Sequence, residues 1–540
     1  MISKREKELL DLVFYQIYPR SFYDANGDGV GDLRGITQKI THLKKLGINA
    51  VWLCPCYPSP YADNGYDISN YVDIHPQLGS MQDWETLKNA LHSQDIRLIM
   101  DFVANHTSDE HPFFQQAKTS TQNPYHNYYI WSKTPNDWQS IFGGKAWKYN
   151  PDTKEYYLHS FHEKQPDLNW CNKKVRQEMC AVVDFWAKKG VDGFRCDVLD
   201  FIAKDFSQNK MFGGKQLSKY IRELFGRKST HHLFTVGECQ ADEDSVCDIC
   251  GMEAGKLTTV FQFNPMRVCG EDKFHPKRFR FDALRKTLVR WQNFTQEKEI
   301  IPTLFTDNHD YPFFLSRYGN DEIFRYECAT LFASMVFLLR GIPFVYQSQE
   351  YGNVNPYYDD VSAFNDVETL NKYAETRKKR GEKKAIRVIN IGSRDNARRP
   401  FAWTNDKQTN YGFSIATPWL QTHSKAEKIN LQTDEKANKS IFRFYQELFS
   451  LRKQYACFRY GTFRDLTEQK NTFVYERSYK NQRAIVICNY GKARKIPLPY
   501  TLNSANFALC LGNNEQRKSQ PFSALFQPFE TAVFLSIKNR

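Results

Sequence analysis

Residues 191–198 read VDGFRCDV, a short apolar run of strand type that ends on Asp197. Two later stretches have the same form. LFTVGEC (233–239) ends beside Glu238, and IPTLFTDNHD (301–310) ends on Asp310. One carboxylate at a strand end is commonplace. Three of them, with Arg195 near the first and His309 beside the third, meet at one point if the strands are parallel and their C-terminal ends form one face of a barrel.

The flanking sequence has the alternation that such a barrel needs. VFYQIYP (13–19) precedes a helical pattern with Ile36, Ile40, Leu43 and Leu46 on one face. INAVWLC (48–54), the helix pattern DWETLKNALHS and IRLIMDFV (96–103) follow. A polar, aromatic-rich interval of about 65 residues comes next, too long for a plain loop, and predicts an inserted subdomain. Alternation then resumes through VRQEMCAVVDFWAKKG, VDGFRCDV, LFTVGEC, VFQF (260–263), FDALRKTLVRW, IPTLFTDN, ECATLFASMVFLLRG and IPFVYQ (342–347). Eight strand patterns separated by helices predict an α/β fold, a (β/α)8 TIM barrel. Beyond residue 460, TFVYERSY, RAIVICNY and TAVFLSI show no helical period and predict a small antiparallel β domain. The expected division is a barrel over 1–103 and 170–459, an inserted domain over 104–169 and a β-sandwich-like domain over 460–540.

Composition narrows the class. The 540 residues are 41% hydrophobic, enough for a large core, and carry a net charge of +13. The longest basic cluster, RKKRGEKK (377–384), has little aromatic interleaving, which argues against a nucleic-acid partner. The most apolar stretch, Leu331–Leu339, is far shorter than the roughly 20 residues of a membrane span. The 13 cysteines are an odd number, and MISKREKELLDL has no apolar secretion segment. These features predict a cytoplasmic protein with reduced thiols, a monomer or weak homo-oligomer, with no nucleic-acid or membrane partner. Cys247-x-x-Cys250 lacks the second pair that a metal or redox site would need.

Two acidic groups, one as nucleophile and one as acid, are the minimum for cleaving a glycosidic bond, so Asp197, Glu238 and Asp310 are the candidate catalytic residues. The loop DANGDGVGD places oxygen donors at Asp24, Asn26, Asp28, Val30 and Asp32, with intervening glycines that permit tight curvature. It predicts a structural Ca2+ site, although Gly35 stands where an EF-hand has its bidentate Glu.

DFVANH (101–106), GFRCDV (193–198), GEC (237–239) and TDNHD (306–310) occur in that order at four strand ends, with QPDLNW (165–170) closing the inserted segment. Together with the Asp24 loop they resemble the α-amylase superfamily of retaining glycoside hydrolases, family 13, over essentially the whole chain. The resemblance implies that Asp197 is the nucleophile, Glu238 the acid and then the base, and Asp310 the group that holds sugar hydroxyls. It also implies hydrogen bonds from His106 and His309 to bound glucose, with Arg195 supplying a positive field at Asp197. Within the family, SPYADNGYDI, FGGKAW, YYLHSF and SRDNARRP are similar to exo-acting oligo-1,6-glucosidases, dextran glucosidases and trehalose-6-phosphate hydrolases. They imply substrate contacts by Asp63, Tyr66, Phe142, Phe161 and Arg398, with Asp63 and Arg398 pairing with the terminal sugar hydroxyls and closing the pocket. Val198, after the nucleophile, resembles the α-1,6-specific members, where maltases have Thr or Ala.

The expected activity is therefore hydrolysis of α-1,6 bonds in short isomalto-oligosaccharides from the non-reducing end. An alternative is trehalose-6-phosphate hydrolysis, with DKFHPKRFR (272–280) reaching the phosphate. A further one is a non-catalytic scaffold of the same fold, though such relatives often lack the carboxylates that this chain retains. Several positions depart from the family pattern. Tyr311-Pro-Phe313 follows Asp310 without the usual basic residue, Gln347-Ser-Gln349-Glu350 replaces Q-G-E-E, and Asp200 stands for an Asn.

Overall fold

A computed structural model describes residues 3–240, 243–499 and 502–536. Eight parallel strands form its centre: β1 (Phe14–Ile17), β2 (Ala50–Leu53), β3 (Arg97–Val103), β4 (Gly193–Asp197), β5 (Phe234–Glu238), β6 (Thr259–Phe261), β7 (Thr303–Leu304) and β8 (Ile342–Tyr346). Their spatial order is β7-β8-β1-β2-β3-β4-β5-β6, every neighbouring pair parallel, with helices between successive strands. The seam between β6 and β7 is bridged by side-chain hydroxyls, Thr259 Oγ1 to Ile301 O at 2.6 Å and Thr303 Oγ1 to Val260 O at 3.0 Å. The eight strands are those read from the sequence, and the fold is the expected (β/α)8 barrel.

The strands are apolar on both faces because the barrel interior and the surrounding helices both exclude water. β4 shows how tight the fit is. A Cβ on Gly193 would lie 2.0 Å from Phe234 O on the neighbouring strand, so only glycine lets β4 and β5 meet in the register Gly193↔Phe234. That register sets the carboxyl-terminal ends of both strands, and with them Asp197 and Glu238.

Some elements differ from the sequence pattern. The single helix expected over Ile36–Leu46 is two, Leu33–Gln38 and Ile40–Leu46, broken at Lys39. All four apolar positions are nonetheless buried. Lys39 is half-buried, its ammonium over the rings of Tyr23 and Trp403 at 3.9 and 4.5 Å. The apolar helix Arg325–Phe337 shows no amphipathic face because it is enclosed on all sides, between the barrel, the helix Ile441–Gln454 and the C-terminal sheet. No helix among the described residues is long and apolar enough to cross a membrane.

Between β3 and the helix Lys173–Lys189 the chain forms a three-stranded antiparallel sheet of Trp131–Ser132, Glu155–Leu158 and Trp147–Asn150. It leans on the barrel through Asp167, which accepts from Asn105 and Ser160 and is paired with Lys204 at 2.8 Å. The C-terminal part holds a five-stranded antiparallel sheet of Thr462–Asp465, Thr472–Tyr479, Gln482–Asn489, Thr531–Ser536 and Phe507–Gly512. Buried Arg452 and Arg477 tie the helices and this sheet to the carbonyls of 337–341. All 13 cysteines are free thiols.

Candidate active site

Acidic side chains from β3, β4 and β5 converge on the guanidinium of Arg195. Arg195 and Asp197 are two apart on β4, so both side chains emerge on one face of the strand. Arg195 Nη1 donates to Asp197 Oδ1 at 2.6 Å and to Asp101 Oδ1 at 2.9 Å, while Nη2 donates to Glu238 Oε2. Asp101, at the end of β3, also accepts from Trp52 Nε1 and the Tyr66 hydroxyl, each at 3.1 Å. Burial pushes the Asp101 carboxyl up to about 6 against the pull of Arg195. Burial also pushes Asp197 well above the usual carboxylate range, with the charges of Glu238 and Asp101 adding to it and Arg195 opposing. Asp101 and Asp197 thus stand above their ordinary values although both touch the guanidinium.

Val198 turns the chain sharply after Asp197. Its φ of 34° and ψ of 46° lie in the left-handed region, strained for a β-branched residue. The turn sets the Val198 side chain against Phe142, Phe161 and Phe201 at the pocket wall.

Asp310 is gripped from behind. Arg398, fully buried, donates to Asp310 Oδ1 at 2.9 Å and to His309 O at 2.9 Å. Burial opposes ionisation of Asp310, but Arg398 and Arg394, together with His309, outweigh it and hold the carboxyl well below its ordinary value. Gln16 Nε2 donates to His309 Nδ1 at 2.7 Å, which leaves the proton on Nε2, 3.1 Å from Asp310 Oδ2. Burial keeps His309 neutral, its pKa far below 6.5, and drops His106 to about 4. His106 Nε2 lies 3.2 Å from Tyr66 O and 3.1 Å from Gln165 Nε2.

These groups line a cavity of about 440 Å³ whose inner end carries Asp63, Tyr66, His106, His309, Asp310 and Arg394. Tyr66 stacks on the His309 ring at 5.2 Å, and Phe142 and Phe161 sit opposite. The structure therefore gathers Asp63, Tyr66, His106, Phe142, Phe161, Asp197, Val198, Glu238, His309 and Asp310 around one cavity. Arg195 lies beneath it.

The sequence reading is corrected at Arg398. Expected at the terminal hydroxyls, it stands behind Asp310 and is not among the residues that line the cavity, whereas Arg394 lines it and pairs with Asp63. Arg394 Nη2 lies 2.9 Å from Asp63 Oδ1, its Nε donates to Asp366 Oδ1 at 2.7 Å, and its guanidinium covers the Phe142 ring at 4.6 Å. Gln165 Nε2 holds the other Asp63 oxygen at 3.1 Å. Arg394 was visible four residues before Arg398 in SRDNARRP, and Asp101 and Gln165 stand in the quoted segments DFVANH and QPDLNW.

The outer half of the cavity carries Gln240, Arg267, Glu271, Asp272, Lys273, Tyr311 and Glu368, none singled out from the sequence as a site residue. Where a basic residue was expected after Asp310, Phe313 is buried in the core, and Arg267 supplies a cation instead, donating to the Tyr311 hydroxyl at 3.2 Å. Lys273 is paired with Glu368 at 2.7 Å and Arg267 with Glu271 at 3.3 Å. Of the expected phosphate-reaching cations in 272–280, Lys273 alone lines the cavity. Behind β8, Ser348 takes φ 75°, and buried Glu350 accepts from Tyr15 and lies 2.9 Å from His42. The altered segment 347–350 thus anchors the barrel and does not line the pocket.

The Asp24–Asp32 loop is apart from this cavity. Asp24 accepts from Gly27 N and Gly29 N, Asp28 from Val30 N, and Asp32 from Ala25 N, Asn26 N and Gly35 N. Asp24, Asp28 and Asp32 have no Lys or Arg partner within ion-pair distance among the described residues. Their hard oxygens suit Ca2+, but no group of three or more His, Cys, Asp or Glu among the described residues has the spacing of a formed metal site.

Residues 16–461 match the family model of the α-amylase catalytic domain. The chain is 39% identical to an oligo-1,6-glucosidase of Bacillus cereus over 97% of its own length and 98% of the relative's. It is 35% identical to a trehalose-6-phosphate hydrolase of Bacillus subtilis strain 168, over 97% of each. The crystal structure of a trehalose-6-phosphate hydrolase from Bacillus licheniformis superposes with a TM-score of 0.90 at 34% identity, covering 98% of this chain and all of that one.

Proposed function

The chain belongs to the α-amylase family of glycoside hydrolases, and on that footing we propose that it is a retaining, exo-acting α-glucosidase. Its substrates on this reading are short isomalto-oligosaccharides, cleaved at α-1,6 bonds from the non-reducing end. The observation that carries the reading is the buried Asp63–Arg394 pair in the wall of the cavity that holds Asp197 and Glu238, which would stop the sugar chain at that end. A terminal glucose fits such an end, whereas an internal segment of a polysaccharide needs an open cleft.

The catalytic steps follow from the shared guanidinium. The reaction requires Glu238 as the acid and Asp197 as the ionised nucleophile, the latter held by Arg195 Nη1. Asp197 attacks the anomeric carbon as Glu238 gives its proton to the departing glycosidic oxygen, forming a β-glucosyl-enzyme. Glu238, now ionised, takes a proton from water, which displaces Asp197 and restores the α configuration. Two carboxyls bound to one guanidinium lie close together, which suits the retaining separation of about 5 to 5.5 Å over the wider inverting one. Asp310 and neutral His309 accept and donate hydrogen bonds at the hydroxyls of the distorted ring.

The charges on the acceptor side favour a neutral sugar over a sugar phosphate. Glu271, Asp272 and Glu368 outnumber Arg267 and Lys273 there, and both cations are already paired. Turnover of isomaltose, panose, maltose, sucrose, trehalose and trehalose-6-phosphate by the purified protein tests the assignment. Isomaltose should be cleaved fastest; faster cleavage of maltose or trehalose-6-phosphate refutes it. We also read the protein as cytoplasmic, monomeric or weakly self-associating, and as holding Ca2+ through side-chain oxygens of Asp24, Asn26, Asp28 and Asp32 and the carbonyl of Val30. There the ion would neutralise the loop's carboxylates and fix its curvature.

A further inference from the structure

Asp63 and Tyr66 belong to a turn with two non-glycine residues in the left-handed region, Tyr61 at φ 62° and Asn64 at φ 51°. Asparagine tolerates that conformation and a tyrosine rarely does, so the turn keeps its shape only where its surroundings fix it. Asp67 closes it from within, accepting from Ala62 N at 2.7 Å and Asp63 N at 3.0 Å. The Tyr61 hydroxyl is buried and makes no hydrogen bond, so ring contacts alone hold that side chain.

Arg20 supplies the contact from outside. It lies in the one-turn helix Pro19–Ser21 after β1, 44 residues before Asn64. Its guanidinium carbon is 4.0 Å from the centre of the Tyr61 ring and 3.8 Å from that of Trp419, and Nη1 donates to Asn64 Oδ1 at 3.0 Å. One side chain therefore grips both left-handed residues. Its own segment is anchored in turn. Arg20 O accepts from Gly31 N at 2.8 Å, Trp419 Nε1 donates to the Ser21 hydroxyl at 3.1 Å, and the Tyr18 hydroxyl donates to Asn64 O at 3.3 Å. No carboxylate lies within ion-pair distance of Arg20 among the described residues. Shape is what this position uses: a planar guanidinium stacks on rings through its faces and still donates from its edge, which an ammonium does not.

We propose that Arg20 is a positioning residue for the glucose pocket. It does not line the cavity; by holding Tyr61 and Asn64 it sets Asp63 against Arg394 at 2.9 Å and Tyr66 on the His309 ring at 5.2 Å. The inference rests on the exo-glucosidase reading, which places the terminal glucose at that wall. Asp197 and Glu238 stand on β4 and β5 and bond to Arg195. Loss of Arg20 should therefore weaken sugar binding and leave the pH profile of kcat in place.

Two substitutions test this. Arg20→Met keeps an unbranched side chain but removes the planar donor, and Asn64→Gly removes the acceptor while permitting φ 51°. Isomaltose kinetics, competitive inhibition by glucose and the pH profile of kcat are measured for each and for the double variant. We expect Arg20→Met to raise KM for isomaltose and Ki for glucose about tenfold and Asn64→Gly about threefold, with kcat within about threefold and its pH profile unmoved. The double variant should be no worse than Arg20→Met, because the shared contact is lost once. Arg20→Lys, which keeps the charge, should stay as weak as Arg20→Met. Unchanged KM and Ki in Arg20→Met, recovery in Arg20→Lys, or losses that multiply in the double variant overturn the inference. If circular dichroism shows Arg20→Met unfolded, Asn64→Gly decides alone: an unchanged KM overturns the inference and a raised one supports it. Unaltered enzyme that neither cleaves isomaltose nor is inhibited by glucose removes the exo-glucosidase reading, whereas normal kinetics in it together with unaffected variants remove this inference alone.

Discussion

Replacing Asp200 by Asn should stabilise the protein above neutral pH, with the benefit disappearing in acid. Burial pushes the Asp200 carboxyl from its ordinary 3.8 to about 7, the charge of Glu238 adding to the effect while the N–H of Gln240 and the charge of Lys204 oppose it. The folded protein therefore keeps a proton on Asp200 that the unfolded chain releases. That contribution to stability is complete below pH 3.8 and is lost as pH rises through about 7. At 1.36 kcal/mol per pH unit, the gap between the two values corresponds to roughly 4 kcal/mol. Asn keeps a side-chain oxygen for Gln240 N–H, now 2.6 Å from Asp200 Oδ2, and brings no charge into the site. Urea unfolding of both proteins from pH 4 to pH 8.5 measures the effect. The stability difference should move in favour of the Asn variant by up to roughly 4 kcal/mol across that range, most of it by pH 7. A difference that does not change with pH, or that moves the other way, would show that Asp200 is not held protonated by its surroundings and would refute the argument.

Four further outcomes are expected. Asp197→Asn should lower kcat on p-nitrophenyl α-glucoside by roughly ten-thousand-fold or more with the fold intact by circular dichroism, and an unchanged rate would reassign the nucleophile. Arg394→Ala leaves Asp63 buried without its ion-pair partner and Asp366 with Arg398 alone, a loss of about 3–5 kcal/mol, and should reduce kcat/KM for isomaltose at least a hundredfold; near-normal kinetics would separate Arg394 from the glucose pocket. Val198→Thr should raise the ratio of maltose to isomaltose turnover, and a ratio left unchanged would sever Val198 from linkage choice. EDTA should lower Tm and excess Ca2+ restore it, since a ligand present at 100 times its Kd stabilises by about 2.7 kcal/mol; a Tm insensitive to both argues that the Asp24 loop is closed by its own N–H groups alone.

The barrel was legible because each strand is a short apolar run bounded by polar residues and each crossover has a helical period. Both signals are local and both survive without tertiary information. The helix break at Lys39 was not legible, since the apolar positions on either side keep one period while the backbone does not. Arg394 and Arg398 show a different limit. They stand four apart around a helix of only four residues, Asp395–Arg398, too short for any periodicity to tell which guanidinium faces the cavity.

The proposed division of labour among the acids centres on Arg195. Asp101, Asp197 and Glu238 share that one cation, and their full ionisation would leave the buried cluster with two uncompensated negative charges. Asp101 receives donors from Trp52 and Tyr66 as well as from Arg195, Asp197 has Arg195 Nη1 at 2.6 Å, and Glu238 has Arg195 Nη2 with a 3.4 Å approach from Val198 N. The acids at the strand ends are alike in sequence; the structure separates them by these contacts, since one guanidinium nitrogen meets Asp101 and Asp197 and the other meets Glu238.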